Sequence, residues 1–245
     1  MGTCEGKVAL VTGAAGKGMG RSIALTLARE GARVVVNYRT SGDSATAIVE
    51  HIASRGGRAA AVRADVFEAE ACRRLVDAAV DAFGRVDICV INPGAGWHPE
   101  PIPAIDAEAA LEDARRELAP IYYLMPLVLP GMCERKWGRL VALGLGRPYD
   151  SPSYAYNVAK AAREHAILLS QAAAWKHDVT VNVIGPPPVS EIETLEQAIE
   201  LCAHGPAWVN RTTATPQDIA EGVAFLCSEA GQFISGCELA YQWRS

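Results

Sequence analysis

The segment VALVTGAAGKGMGRSIALTLAREGARVVV, residues 8–36, decides the fold of this chain. It begins with a short apolar run, passes through a cluster of glycines, continues as a helical pattern and ends in a second apolar run. Short apolar runs without alternation are typical of strands buried on both faces of a parallel sheet. A glycine cluster between such a strand and a helix supplies a tight turn and free amide groups that suit a pyrophosphate. The segment therefore predicts a β–α–β unit that binds a dinucleotide.

Strand and helix patterns alternate along the whole chain and indicate a doubly wound α/β fold, a parallel sheet with helices on both faces. The sequence contains neither an internal repeat nor a linker, so it predicts a single Rossmann-like domain over residues 1–245. The predicted strands cover residues 8–11, 34–36, 59–62, 88–91, 140–143 and 179–184, with a short last strand near 237–242. The predicted helices cover residues 19–30, 43–55, 68–83, 106–118, 121–135, 154–176 and 216–228.

Residues 185–215 form the one long region without a predicted element, and prolines lie in it at positions 186, 187, 188 and 206. The region follows the sixth predicted strand. Ligands of doubly wound sheets bind beyond the carboxyl ends of the strands, so we interpret this region as a candidate substrate lid. A surface insertion without a functional role is the alternative.

The composition argues against several classes of protein. Half of the 245 residues are apolar and the formal net charge is −5, which indicates no general attraction to nucleic acid or to an anionic membrane. No apolar run approaches the roughly 20 residues that span a bilayer, and the N-terminus lacks the pattern of a signal peptide. The five histidines are scattered without the spacing of metal ligands. The seven cysteines, without a C-x-x-C pair, predict reduced thiols in a cytoplasmic protein.

The end of the second strand predicts which dinucleotide is bound. An acid there would accept a hydrogen bond from the ribose 2′-hydroxyl of NAD, but no Asp or Glu occurs from Gly31 through Gly42. Instead, Arg39 follows the strand and Lys17 lies inside the glycine turn. Two cations without an acid suit a 2′-phosphate, so the sequence predicts NADP(H). The alternative is that either cation is a solvated surface charge.

Five short motifs, in order and spacing, resemble those of the short-chain dehydrogenase/reductase family over nearly the whole chain. The glycine turn is similar to that family's TGxxxGxG, with one extra residue in the first gap, and INPG at 91–94 is similar to its NNAG. Tyr156 and Lys160 match the family's YxxxK motif. Asp65-Val66 resembles the pair that contacts the adenine, and PPPV at 186–189 occupies the place of a Pro-Gly motif that contacts the nicotinamide.

The resemblance implies hydride transfer between C4 of a nicotinamide and a carbonyl or alcohol carbon of a small substrate. Tyr156 would give or take the proton. Lys160, one helical turn later, would favour the phenolate together with the oxidised nicotinamide and would bind the nicotinamide ribose. The residue patterns and the resemblance together assign cofactor contacts to Gly13, Lys17, Gly18, Met19, Gly20, Asn37, Tyr38, Arg39, Asp65, Val66, Asn92, Pro93, Gly94, Tyr156, Lys160, Pro186 and Val189.

The chain departs from the family pattern at the serine that assists the tyrosine. In GRLVALGLG, which starts at Gly138, Leu145 falls in the serine position and has no side-chain donor. Ser151 and Ser153 lie closer to Tyr156 in the sequence. One interpretation is that a rearranged loop brings one of these serines to the site; turn and helix N-cap roles are the other.

Two further departures concern residues that assist the lysine and the carboxamide. Glu117 occupies the position of the family's asparagine, which supports a helix distortion and a water leading to the lysine. Pro120 would distort the helix by another route. Glu117 relays protons, pairs with Lys160 or faces solvent, and the sequence leaves these open. Glu191 replaces a threonine that often contacts the carboxamide.

Four aromatic or imidazole side chains lie in loops where a substrate could be bound, although packing and surface roles are equally compatible with the sequence. Two follow the fourth strand and two lie in the candidate lid. They are Trp97, His98, His204 and Trp208.

Three functions fit these patterns. The first is an NADP(H)-dependent oxidoreductase with a modified site, since loss of one donor slows an enzyme without making it inert. The second is a lyase, isomerase or dehydratase that keeps the dinucleotide and uses Tyr156 as acid and base. The third is a non-catalytic nucleotide-binding paralogue. Members of the family commonly assemble through two long helices, so the resemblance implies a homodimer or homotetramer through residues 121–135 and 154–176, and packing on the sheet alone is the alternative.

Overall fold

The computed structural model describes residues 2–96, 100–146, 153–207 and 211–242. Four residues singled out in the sequence, Trp97, His98, Ser151 and Trp208, lie outside the described residues. None of the described helices is both long enough and apolar enough to cross a membrane.

Seven parallel strands form one sheet in the order β3-β2-β1-β4-β5-β6-β7, which confirms the doubly wound fold. Val11 of β1 pairs with Val36 on one side and with Val90 on the other, so the strand order reverses between β1 and β4. Ligands of such sheets bind at this switch point, beyond the carboxyl ends of the strands. The strands are β1 Val8–Val11, β2 Arg33–Tyr38, β3 Ala59–Arg63, β4 Ile88–Ile91, β5 Gly138–Leu143, β6 Val179–Gly185 and β7 Glu238–Ala240.

Helices cover both faces of the sheet, and each face has its own apolar core. Adjacent residues of one strand serve opposite cores: Val11 packs into one and Leu10 into the other, as expected for a strand buried on both faces. The helices are α1 Met19–Arg29, α2 Gly42–Ser54, α3 Ala69–Phe83, α4 Ala107–Glu134, α5 Tyr154–Leu168, α6 Gln171–Trp175, α7 Leu195–His204 and α8 Pro216–Cys227. Short 3₁₀ turns lie at Ile102–Ala104 and Glu229–Gly231.

The prediction of two helices at 106–118 and 121–135 was wrong, because α4 runs unbroken from Ala107 to Glu134 with three prolines inside it. Each proline removes one backbone donor and lowers helix propensity. Buried contacts of Ile121, Leu124 and Val128 with the sheet hold the helix together, so tertiary packing overrides the local signal.

Two other boundaries also differ from prediction. The helix expected over 154–176 is two helices, α5 and α6, separated where the Ser170 hydroxyl donates to the Ile167 carbonyl oxygen, a local bond that competes with the helix. The region 185–215 is not irregular throughout, since it contains α7. That helix starts with a capping box between Thr194 and Gln197, a pattern that the sequence displays and that we missed.

Candidate active site

The glycine turn is fixed to its neighbouring strands by the buried Asn37, the half-buried Asn92 and a threonine. Asn37 accepts a 3.1 Å hydrogen bond from the Gly13 amide and donates to the Ala64 carbonyl oxygen at 3.0 Å. The Asn92 backbone N–H donates to the Thr12 hydroxyl at 2.9 Å, and the Asn92 side-chain Nδ2 donates to the Thr12 carbonyl oxygen at 3.2 Å. Asn37 therefore ties the turn to β2 and β3, while Asn92 ties it to the end of β4. Both residues were predicted from the sequence as cofactor contacts, and their side chains build the turn itself.

The start of α1 is open on the side where a phosphate would approach. Gly18 is the N-cap residue and, as glycine, offers no side chain to cap the first turn. A Cβ atom at Gly18 would meet nothing within 4 Å, whereas a Cβ at Gly20 would overlap the Gly13 carbonyl group. The helix start therefore has free amide donors, and the glycines allow a ligand and the turn to approach it closely. Met19, predicted beside them, packs partly into the core.

A pocket of about 260 Å³ opens beside this turn. Arg39 and Asp65 lie at the pocket and form an exposed ion pair, with 3.6 Å between Nη1 and Oδ2. Two residues that the sequence analysis did not assign to the site, Phe67 and Arg116, also line the pocket. The Arg116 guanidinium lies 4.9 Å from the centre of the Phe67 ring. The lining residues are Gly13, Asn37, Arg39, Ala64, Asp65, Val66, Phe67, Pro93, Gly94 and Arg116. Tyr38 does not line the pocket. Its ring lies beside Gly42, where an added Cβ atom would be 3.5 Å from the ring.

The second predicted cation, Lys17, is in a different ion pair. Its ammonium group pairs with Glu193, and both side chains are more than half exposed. Next to this pair, the buried Arg21 donates a 2.6 Å hydrogen bond to the Ile192 carbonyl oxygen. The segment before α7 therefore lies against the glycine turn, which is where a lid for a bound dinucleotide would be.

Tyr156 and Lys160 lie one turn apart on α5, as the motif predicts. The Lys160 ammonium nitrogen is 5.4 Å from the centre of the Tyr156 ring and 2.9 Å from Oε1 of Glu117. Glu117 is completely buried, so of the three roles that the sequence left open, the structure shows pairing with Lys160 and excludes exposure to solvent.

Arg163 is a third buried charge beside this pair, and the sequence reading missed it. It is completely buried and donates to the Glu117 carboxylate at 3.2 Å. It also donates to the carbonyl oxygens of Ile91 and Pro93 at 2.7 and 2.8 Å, at the end of β4. In the sequence, the only sign of this role was the position of Arg163, three residues after Lys160. These bonds attach α5, and with it Tyr156, to the strand end that carries Asn92.

Burial and neighbouring charges within the protein make the Tyr156 hydroxyl a weak acid. Burial and, to a smaller extent, the charge of Glu117 raise the pKa of Tyr156 to about 12, although Arg163 opposes the rise. Burial and Arg163 lower the pKa of Lys160, while Glu117 opposes them. In the chain itself, burial and the Glu117 carboxylate oppose the phenolate form of Tyr156, and the role of Lys160 together with the oxidised nicotinamide stays a prediction.

The segment after β5 meets α5 through a carboxylate. The Leu145 amide donates a 2.6 Å hydrogen bond to Oε1 of Glu164, and a Cβ atom at Gly144 would overlap the same carboxyl group. Burial raises the pKa of Glu164, although the bond from Leu145 opposes the rise. Ser153 is buried and occupies the N-cap position of α5, as one interpretation predicted, but its side chain does not cap the first turn.

The predicted contacts Pro186 and Val189 follow β6, at the same end of the sheet as the segment after β5. The Pro186 carbonyl oxygen accepts a 2.9 Å hydrogen bond from the Gly146 amide, which joins the segments after β5 and β6. Val189 forms a parallel bridge with Ala214. His204, in the candidate lid, is exposed at the end of α7 and lies beside Glu200 of the same helix. Among the described residues, no group of side chains has the arrangement of a metal site.

Comparison with known proteins now gives the family. A family model described as Enoyl-(Acyl carrier protein) reductase matches residues 13–242. The chain is 32% identical over 243 residues to a 7alpha-hydroxysteroid dehydrogenase of Escherichia coli (strain K12), covering 95% of this chain and 91% of that protein. It is also 32% identical over 254 residues to the short-chain dehydrogenase/reductase FrzI of Cladobotryum sp, covering 94% and 92%.

The chain belongs to the short-chain dehydrogenase/reductase family. A crystal structure of hydroxysteroid dehydrogenase from Escherichia coli is similar to the structure of this chain with a TM-score of 0.81 and 29% identity, covering 98% of this chain and 96% of that one. Dehydrogenases and reductases recur among its relatives, so it is an oxidoreductase of this type, and the family uses a nicotinamide cofactor.

Proposed function

We propose that this short-chain dehydrogenase/reductase transfers a hydride between NADP(H) and a small carbonyl or alcohol substrate, with Tyr156 as the proton-transfer group. The observation that carries the proposal is the attachment of α5 to the dinucleotide cradle. Arg163 bonds to the carbonyl oxygens of Ile91 and Pro93, and Asn92 between them bonds to the glycine turn. Tyr156 is thereby held beside the switch point, where the reactive end of a dinucleotide would lie.

The residues present suit such a cofactor. The open helix start offers amide donors to a pyrophosphate, and the 260 Å³ pocket beside Asp65 and Val66 has the position expected for the adenosine. A bound NADPH would supply the hydride for the carbonyl carbon. Tyr156 would donate its hydroxyl proton to the carbonyl oxygen, so that the carbonyl becomes an alcohol and the tyrosine a phenolate that regains its proton from water.

The high pKa of Tyr156 suits the phenol to act as the proton donor of a reduction. A phenol with a pKa near 12 is protonated across the physiological range, and the protonated form is the one that reduction uses. Alcohol oxidation uses the phenolate, which is scarce under the same conditions. Reduction is therefore the direction that we propose.

The proposed site is a modified one, because Leu145 stands in place of the serine donor. Loss of one donor to a developing oxyanion costs about 2.7–4 kcal/mol, or about 10²–10³ in rate. The backbone amide of Leu145 does not compensate as it stands, since it is bonded to Glu164. A substrate with its own polarising group next to the carbonyl suits such a site.

The preference for NADP(H) rests on Arg39. Its side chain is 55% exposed at the pocket and its partner Asp65 is 3.6 Å away, which is a weak pair that a phosphate can displace. Lys17 is a less direct candidate, since a ligand phosphate would have to compete with Glu193 for it.

We also propose that the protein works as a homodimer or homotetramer in the cytoplasm. Apolar side chains are exposed on both long helices, Leu111 and Tyr122 on α4 and Tyr154 and Val158 on α5. Large exposed apolar side chains on adjacent helices are typical of an interface. All seven cysteines are free thiols, which fits a reducing compartment.

The test begins with titrations of the purified protein with NADPH and NADH, followed by nicotinamide fluorescence. Ketones are then screened for NADPH oxidation, with Tyr156→Phe as the inactive variant and Tyr154→Phe, an exposed tyrosine on the same helix, as the control. We expect tighter binding of NADPH and a loss of at least about 10²-fold in turnover for Tyr156→Phe alone. Binding without net oxidation would favour a non-redox reaction, and no binding of either nucleotide would refute the proposal.

A further inference from the structure

Three charged side chains meet in the interior between α4 and α5, and the proposed proton transfer explains only one of them. Glu117 and Arg163 are fully buried, and Lys160 is 8% exposed. Removing charges from water is costly, and a buried ion pair often stabilises a protein less than apolar residues would. Stability alone is therefore a poor explanation for this cluster.

The Glu117 carboxylate uses both oxygens on different partners. Oε1 accepts hydrogen bonds from the Lys160 ammonium at 2.9 Å and from the Ala95 amide at 2.8 Å. Oε2 accepts from Arg163 at 3.2 Å. The carboxylate thus bridges two cations and is also fixed to the segment after β4, so its position and that of the lysine are set together.

Arg163 in turn is anchored by the backbone. Its guanidinium donates to four carbonyl oxygens, which belong to Leu143 at the end of β5, Ile91 at the end of β4, Pro93 just after β4, and Glu117 on α4. Arginine suits this role because its planar fork presents five donors in fixed directions. The guanidinium is therefore a rigid support for the carboxylate that holds the lysine.

The net charge of this cluster affects the ionisation of Tyr156. Glu117 alone would neutralise Lys160 and leave the phenol without a neighbouring cation. Arg163 restores a net charge of +1 to the cluster. Glu164, also on α5, is a further acidic group that acts on Lys160.

We propose that Glu117 and Arg163 act as one positioning pair for the lysine of the active site: Arg163 holds the Glu117 carboxylate, and the carboxylate holds the Lys160 ammonium beside Tyr156. The pair also sets the charge that Tyr156 experiences. The inference rests on the proposed function of Tyr156, but its physical content is the coupling of the two residues. Replacing both residues should therefore cost less stability than the two single replacements combined.

The first test follows the ionisation of Tyr156 without substrate or cofactor. Near-ultraviolet tyrosinate absorbance is titrated in each background with and without Tyr156→Phe, so that the difference reports one tyrosine. In Glu117→Gln, two cations remain without their anion, and we expect Tyr156 to ionise at a pH lower by about one unit or more. Glu112→Gln, which removes an exposed partner of Arg115 on the same helix, should cause no shift. An unchanged or higher ionisation pH in Glu117→Gln would overturn the proposal.

The second test measures the coupling by urea unfolding of Glu117→Gln, Arg163→Gln and the double variant. Glu117→Gln leaves Arg163 and Lys160 without their shared carboxylate, and Arg163→Gln removes one of the two cations that hold that carboxylate. The double variant keeps the net charge of +1 that the wild-type cluster has, and both glutamines retain hydrogen-bonding groups. We expect the urea midpoint of the double variant to fall by less than the sum of the falls of the two single variants. Alternatively, the double variant should fold where a single variant does not. Additive losses, or a double variant that does not fold, would contradict the pair.

Neither measurement needs turnover. If the ketone screen finds no redox activity while Glu117→Gln still shifts Tyr156, the proposed function fails and the positioning pair stands. If turnover depends on Tyr156 but the double variant shows additive losses, the pair fails and the proposed function stands.

Discussion

Gly94, just after β4, lies directly against the carboxyl group of Glu117 on α4. A Cβ atom at residue 94 would overlap all three atoms of that carboxyl group. The neighbouring Ala95 amide donates to the same carboxylate at 2.8 Å. The glycine of the INPG motif therefore has a steric reason to be glycine in this chain, since it makes room for the acid that contacts Lys160.

Gly94→Ala should destabilise the protein by about 1–3 kcal/mol, because the methyl group would displace a buried, fully hydrogen-bonded carboxylate. Urea unfolding measures the effect. Gly16→Ala is the matched control, as a Cβ there meets nothing within 4 Å and the residue does not adopt a positive φ. That variant should stay within about 0.5 kcal/mol of the wild type. Equal stability of the two variants would show that the Glu117 carboxyl group has room to move.

Alcohol oxidation should depend steeply on pH and carbonyl reduction should not. With the pKa of Tyr156 at about 12, kcat/KM for oxidation of the alcohol form of any accepted substrate should rise about tenfold per pH unit from pH 7 to 10. Reduction should be nearly flat over the same range, because the phenol stays protonated. Steady-state kinetics in both directions checks this. A plateau for oxidation that begins near pH 8 would mean that the phenol ionises far more easily than its burial indicates.

Arg39→Ala should weaken binding of NADPH about tenfold or more and leave binding of NADH within about twofold, since a charge-assisted bond to the 2′-phosphate would be lost. Fluorescence titration of both nucleotides measures the two affinities. Arg73→Ala is a close control, because Arg73 is also an exposed arginine in a long ion pair, 3.8 Å from Glu70. Parallel losses for NADPH and NADH in Arg39→Ala would argue against recognition of the 2′-phosphate by this residue.

Asp218 should contribute stability that is lost in acid. Burial favours its neutral form, but hydrogen bonds from Arg211 and Thr215 prevail and hold its pKa below the ordinary value. Because the folded pKa is below the unfolded one, the contribution is complete above about pH 5 and disappears as the pH falls below about 4. Asp218→Asn should therefore cost about 1–2 kcal/mol at pH 7 and progressively less at lower pH.

Urea unfolding of Asp218→Asn and the wild type at pH 7, 5 and 3.5 measures this dependence. Asp77→Asn, an exposed residue of α3, serves as the control and should unfold like the wild type at each pH. A difference between Asp218→Asn and the wild type that stays constant down to pH 3.5 would contradict the role of the ionised carboxylate.

Much of the fold could be read from short stretches of sequence. The strands β1 and β4 have the predicted bounds, and the other strands and most helices differ by one or two residues at their ends. The pattern succeeds there because a strand buried on both faces shows its burial directly in its residue types. It failed at α4, where three prolines indicate a break and packing of Ile121 and Leu124 prevents one.

The sequence by itself determined the strand–turn–helix that shapes the dinucleotide cradle and the spacing that puts Tyr156 and Lys160 on one helical face. Both follow from local geometry, since a few consecutive residues fix a turn or a helical turn. Only the tertiary structure decided that Glu117 contacts Lys160 and that Arg163 supports it. Those residues lie on different helices, and whether a charge faces water or another charge depends on how α4 packs against α5, which no short segment encodes.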